Sequence, residues 1–349
     1  MRAAVWYKAK DVRVEEREVP ELQTNEVKVR VAWTGICGSD LHEYLHGPLT
    51  VPVDEPDPLT KQTAPLTLGH EFSAVVEETG VNVSRVKKGD RVVINPLITY
   101  GNKDPHLDIY DGFNFIGLGR DGGFADYVVL DEKHLYMLPE GLTLEEGALV
   151  EPSAVSVQAL KEGNFQAGQT VGVYGAGPIG LLTVLAAKAQ GASTIVVYDI
   201  SEARLEKAKE LGATYVVNSA DQDPVEVTKE LVAEGFDVTI EAAGVEATVN
   251  QAIHTTKKRG IVVIVSLISN PIKITPMDLI GSGVVITSSA AYEPDVYKKT
   301  IDLIATGKMD VKQAVTKHIS LENIVTEGFE ALTKDKSEVK ILVELSGEK

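Results

Sequence analysis

"TVGVYGAGPIG", Thr170–Gly180, decides how the rest of the chain is read. An apolar, β-branched run ends in Gly175, Gly177 and Gly180 at G-x-G-x-x-G spacing. "LLTVLAAKAQG" follows, with helical composition and a closing glycine. Glycine-rich turns are common, so the spacing alone is a weak signal. Its context makes it informative: the next apolar strand, "STIVVYDI", carries Asp199, nineteen residues beyond Gly180. In a dinucleotide-binding turn, Gly175 allows the tight bend, Gly177 lets a pyrophosphate approach the backbone, and Gly180 lets helix and strand pack closely. Pro178 and Ile179 open the helix, whose free N–H groups and partial positive charge attract phosphate. Asp199 can accept hydrogen bonds from the adenosine ribose and would oppose a 2′-phosphate, so NAD is expected over NADP. Arg204, on the following helix, is a candidate for the adenine side and equally a solvated helix charge.

Outward from this turn, "SEARLEKAKELGA" reads as a charged helix capped by Ser201. "YVVN", "PVEVTKELVAEG", "FDVTIEAAG", "VEATVNQAIHTTKKRG" and "IVVIVSL" continue the alternation. Continuous apolar strands with intervening helices predict a parallel sheet covered on both faces. Upstream the grammar differs. "EVKVRVAW", "FSAVVEETG", "DRVVINPLI" and "FADYVVL" are short, β-branched and broken by Gly, Asp or Pro. After about Ala290 the alternation ends; "PDVYKKTIDLIATGKM" reads as helix and "EVKILVEL" as strand, and this tail is expected to rejoin the first domain. The expected division is a β-rich domain over 1–153, an α/β doubly wound nucleotide domain over 154–292, and a returning segment over 293–349.

The 349 residues suffice for two cores, and a formal charge of −17 argues against nucleic acid or an anionic membrane as partner. The single cysteine, Cys37, permits no intrachain disulfide. The chain is charged from Arg2 onward, and no apolar run approaches the roughly 20 residues of a spanning helix. A soluble, cytoplasmic protein is expected.

Three segments of the first domain combine. "GICGSDLHEY" holds Cys37, Ser39 and His42; "TLGHEFSAVV" holds His70 and Glu71; "ALVEPSAV" holds Glu151. Thiolate, imidazole and carboxylate are ligands a catalytic zinc uses, with three protein ligands and one open position. Each has a plainer reading alone: a small buried cysteine, a structural histidine, a Glu-Pro turn.

The ordered series "GICGSDLHEY", "LGHEFSAVVEETG", "VKKGDRVV", "GGFADYVVL", "LVEPSAV" and "YGAGPIG" resembles the zinc-dependent medium-chain alcohol and polyol dehydrogenases over essentially the whole chain. The resemblance implies a GroES-like catalytic domain, interrupted by a Rossmann domain and completed by the C-terminal tail. It implies one zinc held by Cys37, His70 and Glu151, with Glu71 beside the metal and able to exchange with Glu151. It also implies a proton path: Ser39 takes the proton of the alcohol, a nicotinamide ribose hydroxyl relays it, and His42 passes it to solvent. A homo-oligomer, dimer or tetramer, is implied as well. Within the family, the spacer "LHGPLTVPVDEPDPLTKQTAPLTLGHEFS" and the ending "DKSEVKILVEL" resemble the branch acting on 2,3-butanediol and acetoin. The expected substrate is therefore a small vicinal diol or hydroxyketone. Sorbitol and threonine dehydrogenases are the alternatives within the family. Many sugar-polyol relatives carry His where this chain has Gln158. A metal-free quinone reductase and a non-catalytic NAD-binding protein are the more distant alternatives.

The chain departs from many relatives in one lobe. "NPLITYGNKDPHLDIYDGFNFIG", Asn95–Gly117, lacks the four cysteines of a structural zinc. Tyr100, Tyr110, Phe113 and Phe115 are expected to pack this lobe instead. His106 with Asp104, Asp108 and Asp111 is read as a solvated acidic loop in preference to a replacement metal site.

Overall fold

The computed structural model describes residues 1–268, 270–335 and 337–348. They form two compact units: Met1–Glu151 with Glu293–Ala305 and Val315–Lys349, and Pro152–Tyr292 with Thr306–Ala314.

In the second unit six parallel strands lie in the order Tyr215–Asn218, Thr194–Asp199, Thr170–Tyr174, Phe236–Glu241, Thr256–Ile264, Val285–Ser288. This is the doubly wound order, with its switch point between Thr170–Tyr174 and Phe236–Glu241. Helix Pro178–Ala189 explains why its sequence reads as apolar nearly all round: Leu181, Leu182, Val184, Leu185, Ala186 and Ala187 are all buried. Helix Glu202–Leu211 is charged on its outer face and ends at Gly212, whose φ of 115° places it in the left-handed region. Ser201 occupies the N-cap position, but its side chain makes no capping hydrogen bond. Instead its backbone N–H donates to Asp199 Oδ1 at 2.9 Å.

In the first unit a seven-stranded sheet contains Leu135–Met137, Arg91–Ile94, Glu71–Thr79, Glu26–Gly35, Lys340–Glu344 and Val315–Ser320 in that order, with Tyr127–Asp131 also pairing with Glu26–Gly35. The central strand Glu26–Gly35 is antiparallel to both Glu71–Thr79 and Lys340–Glu344. The expected return of the tail is thus a strand addition at the middle of the sheet. Alternation along Glu26–Gly35 buries Val27, Val29 and Val31, which join Trp6, Phe72, Phe124 and Phe329 in one core. Thr306–Ala314, expected with the tail, belongs to the second unit. Its 3-10 turn buries Val311 and Ala314 against helices Pro178–Ala189 and Glu202–Leu211.

The Asn95–Gly117 lobe corrects an expectation. Tyr100, Tyr110 and Phe113 are 49%, 61% and 39% exposed, and of the four aromatics Phe115 is the most sheltered. Buried Ile109 and Ile116 and the carboxylate of Asp108, which accepts the Gly101 N–H at 2.6 Å, hold the lobe. Asp104 caps a short helix through the His106 N–H, and Asp111 pairs with Lys103. The acidic groups of this loop are therefore engaged in local contacts.

Burial pushes the His134 imidazole down to about 4, against a hydrogen bond from Nδ1 to the Asn95 carbonyl that supports the charged form. The unfolded chain takes up this proton from about pH 6.5 downward, the folded chain only near 4. The contribution to stability is complete above about 6.5 and declines as pH falls toward 4, by about 3 kcal/mol in total. Urea unfolding at pH 7 and pH 4.5 should show wild type losing more stability across this interval than His134→Gln; equal losses would contradict the assignment.

Candidate active site

The local sequence explains why Cys37, Ser39 and His42 share one short element. Helix Gly38–His46 begins at Cys37, and Asp40, three residues on, folds back so that Oδ2 accepts the Cys37 N–H at 3.0 Å. Asp40 is fully buried, and its other oxygen lies 3.3 Å from the Gly69 N–H and 3.4 Å from His70 Nδ1. One carboxylate thus fixes the segment bearing Cys37 and the segment bearing His70. The Cys37-x-x-Asp40 spacing is a capping signal that sequence reasoning passed over.

Glu71 arrives by strand pairing. It opens strand Glu71–Thr79 directly opposite Gly35, the last residue of the central strand. A side chain at Gly35 would collide with the Glu71 carboxylate, so glycine is required there for the carboxylate to occupy its place. The thiolate, imidazole and carboxylate ligand atoms of Cys37, His70 and Glu71 all lie within 4.8 Å of one another. His70 and Glu71 are buried, His70 Nδ1 faces Asp40, and Glu71 Oε1 has no hydrogen-bond partner among the described residues. A buried carboxylate oxygen without a partner is costly, and a converging set of sulfur, imidazole and carboxylate donors suits a divalent cation of borderline softness. The residues present therefore fit a zinc ion.

Glu151 is buried at the start of helix Val150–Glu162, outside that three-residue group. Burial, with the negative charge of Glu151 adding to it, pushes the Tyr297 phenol well above its ordinary value, and Glu151 also adds to the raising of Lys340. Of the four expected ligands, the structure brings three together and sets the fourth in their electrostatic neighbourhood.

Lys340 was not legible as a site residue. It is 1% exposed, pairs with Glu71 Oε2, and donates to the Ile36 carbonyl at 3.1 Å. Burial favours the neutral amine, but Glu71 and Cys37 outweigh it, and the Lys340 pKa is raised. His70 shows the same balance: burial lowers its pKa, while Asp40 and Cys37 together raise it well above the ordinary histidine value. The carboxylates of Asp40, Glu71 and Glu151 gathered around these groups make the surroundings attractive to cations.

Ser39 Oγ lies 3.3 Å from His70 Nε2, so its hydroxyl borders the ligand set. His42, three residues along the same helix, is exposed. At a spacing of three, the two residues occupy neighbouring positions on the helix surface.

In the second unit, Gly175 has φ of 96°, and a side chain at Gly180 would collide with the Gly175 carbonyl. Gly177 is different: a Cβ there would meet nothing within 4 Å. Protein packing does not require glycine at 177, whereas an approaching phosphate does. Pro178 and Ile179 form the first turn of helix Pro178–Ala189. Asp199 ends its strand with Oδ2 accepting the Ala176 N–H at 2.7 Å, which ties the acidic residue to the glycine turn. Arg204 is half-buried on helix Glu202–Leu211. Glu241, also missed from sequence, is fully buried at the end of its strand and accepts the Ala243 and Gly244 N–H groups at 2.9 and 2.8 Å. It fixes the loop whose backbone lies against Gly175. Gln158 is buried and donates to Glu162 at 2.8 Å.

Residues 23–140 match the alcohol dehydrogenase GroES-like domain, and residues 178–306 match the zinc-binding dehydrogenase domain. The chain is 44% identical over 345 residues to the (R,R)-butanediol dehydrogenase of Bacillus subtilis (strain 168), covering 98% of this chain and 99% of that one. It is 34% identical to a sorbitol dehydrogenase of the same organism, covering 98% and 97%. The crystal structure of 2R,3R-butanediol dehydrogenase from Bacillus subtilis superposes with a TM-score of 0.94 at 43% identity, covering 98% of this chain and 99% of that one. The chain belongs to the zinc-dependent medium-chain alcohol and polyol dehydrogenases, a family of oxidoreductases.

Proposed function

We propose that this chain oxidises 2,3-butanediol to acetoin with NAD as hydride acceptor, and catalyses the reverse reduction with NADH. The observation that carries the reading is the convergence of Cys37 with the buried His70 and Glu71, in a chain that also holds a glycine turn closed by Asp199. The 44% identity to a butanediol dehydrogenase supports the choice of substrate.

Cys37, His70 and a carboxylate, Glu71 or Glu151, would hold zinc; Gly175, Gly177, Gly180 and the helix opened by Pro178 and Ile179 would hold the pyrophosphate of NAD. Asp199 would bind the ribose, and Arg204 would lie toward the adenine. When bound, zinc supplies Lewis acidity toward the alcohol oxygen and NAD supplies the hydride acceptor. The chain's own groups do the rest. Ser39, bordering the ligand set, takes the hydroxyl proton as it passes its own onward, and exposed His42 delivers the proton to water. The second hydroxyl of a vicinal diol donates to whichever of Glu71 and Glu151 is not engaged by the metal. An acceptor buried in this way disfavours a simple alcohol that leaves it unpaired. By its likeness to an (R,R)-specific relative, the chain should prefer the R-configured carbinol.

We extend the proposal to a cytoplasmic homo-oligomer, a dimer or tetramer. Helix Pro276–Ser282 and the edge strand Val285–Ser288 expose Met277, Ile280 and Val285, an apolar surface beside an unpaired strand edge. Light scattering should return two or four chain masses; a monomer at micromolar concentration would contradict it.

One kinetic panel tests substrate and cofactor together. 2,3-Butanediol should exceed 2-butanol by at least about tenfold in kcat/KM, and acetoin should be reduced by NADH. NAD should be preferred to NADP, with Asp199→Ser eroding that preference by about 1–3 kcal/mol. Equal turnover of 2-butanol would contradict the diol argument. Faster turnover of sorbitol would move the chain to the sugar-polyol branch.

A further inference from the structure

We propose that His42 and His46 form a second divalent-metal site, on the solvent face of helix Gly38–His46, suited to a transition cation such as Zn2+ or Ni2+. Residues four apart on a helix face the same way, and a pair of histidines at this spacing is a recurrent way to hold such an ion. The two imidazole rings lie with centroids 6.4 Å apart and planes inclined by 30°. Both residues are exposed, and neither ring makes a hydrogen bond or ion pair with another described residue. Their nitrogens are therefore available to a metal without loss of an existing contact.

The residues between them point the other way. Glu43 and Tyr44 are 1% and 7% exposed. The Glu43 carboxylate accepts the backbone N–H groups of Leu49, Thr50 and Val51. With that carboxylate engaged, the pair would bind as two neutral imidazoles with water completing the shell. Such a site favours later first-row divalent ions over Mg2+ and Ca2+, which prefer oxygen. It contrasts with the Cys37–His70–Glu71 set, which is anionic and includes a thiolate, so its ion should bind more weakly and exchange with solvent.

An ion at this site occupies the lone pair that His42 needs to accept a proton. Occupancy should therefore slow alcohol oxidation, a consequence that rests on the proton path proposed above. The site would make the rate responsive to free transition metal while leaving the buried ligands untouched.

The test titrates the zinc-loaded enzyme with nickel chloride, following heat of binding, zinc retention and 2,3-butanediol oxidation. Wild type should bind one nickel ion per chain without losing zinc. His46→Ala, a change at an exposed helix end, should weaken that binding by at least about tenfold. Nickel should slow oxidation by wild type but not by His46→Ala, each measured against its own nickel-free rate. Equal nickel binding by the two proteins, or none by wild type, would overturn the site. Nickel bound at this pair with wild-type oxidation undiminished would leave the metal site standing and overturn His42 as the proton carrier.

Discussion

The buried pair between Lys340 and Glu71 is the contact on which the rest of the first unit depends. Two charges removed from water must be matched closely or they destabilise the fold by several kcal/mol. Here Lys340 stands among Glu71, Cys37 and Glu151, all of which raise its pKa, and donates its remaining bond to the Ile36 carbonyl. Because Lys340 comes from the last strand and Glu71 from an early one, the site is complete only when the tail pairs with Glu26–Gly35. The insertion of a whole nucleotide domain between these strands is compatible with that pairing. Loop-closure entropy grows only slowly with the length of the inserted chain.

The same pair shapes the electrostatics of the pocket. Without Lys340, the anionic groups around the donors would repel one another in a poorly solvated space. With it, one Glu71 oxygen is paired while Oε1 has no hydrogen-bond partner among the described residues. Asp40 acts likewise on the other side: it is paired to backbone N–H groups and to His70, and orients the imidazole from behind. In the proposed reading, a strongly acidic chain can still attract an anionic dinucleotide because the attraction would be local, from the N–H groups at the start of helix Pro178–Ala189, whose N-cap Gly177 offers no side-chain cap.

Much of this was legible in the sequence because its signals are periodic or local. The glycine spacing and alternating strands and helices pointed to a parallel, doubly wound sheet, and Asp199 could be read as closing the strand after the glycine turn; the order of the strands was not legible. Cys37, His70 and Glu71 could be grouped from ligand chemistry and a family resemblance. Lys340 could not: it reads as an ordinary strand lysine, and only the register of three strands brings it to Glu71 across 269 residues. Glu241 was hidden for a similar reason, since its role is to accept backbone N–H groups formed by the loop after it. The aromatics of the Asn95–Gly117 lobe misled because residue type alone does not give the direction of a side chain in a short loop. Tyr100 and Tyr110 face outward while the smaller Ile109 and Ile116 are buried.

The central claim is that Cys37, His70 and a carboxylate converge on one metal ion. Zinc-edge X-ray absorption on the purified enzyme tests it most directly. One tightly held zinc per chain is expected, with a single sulfur neighbour at about 2.3 Å and nitrogen or oxygen neighbours at about 2.0–2.2 Å. A zinc shell without sulfur, or one unchanged by Cys37→Ser, would contradict it.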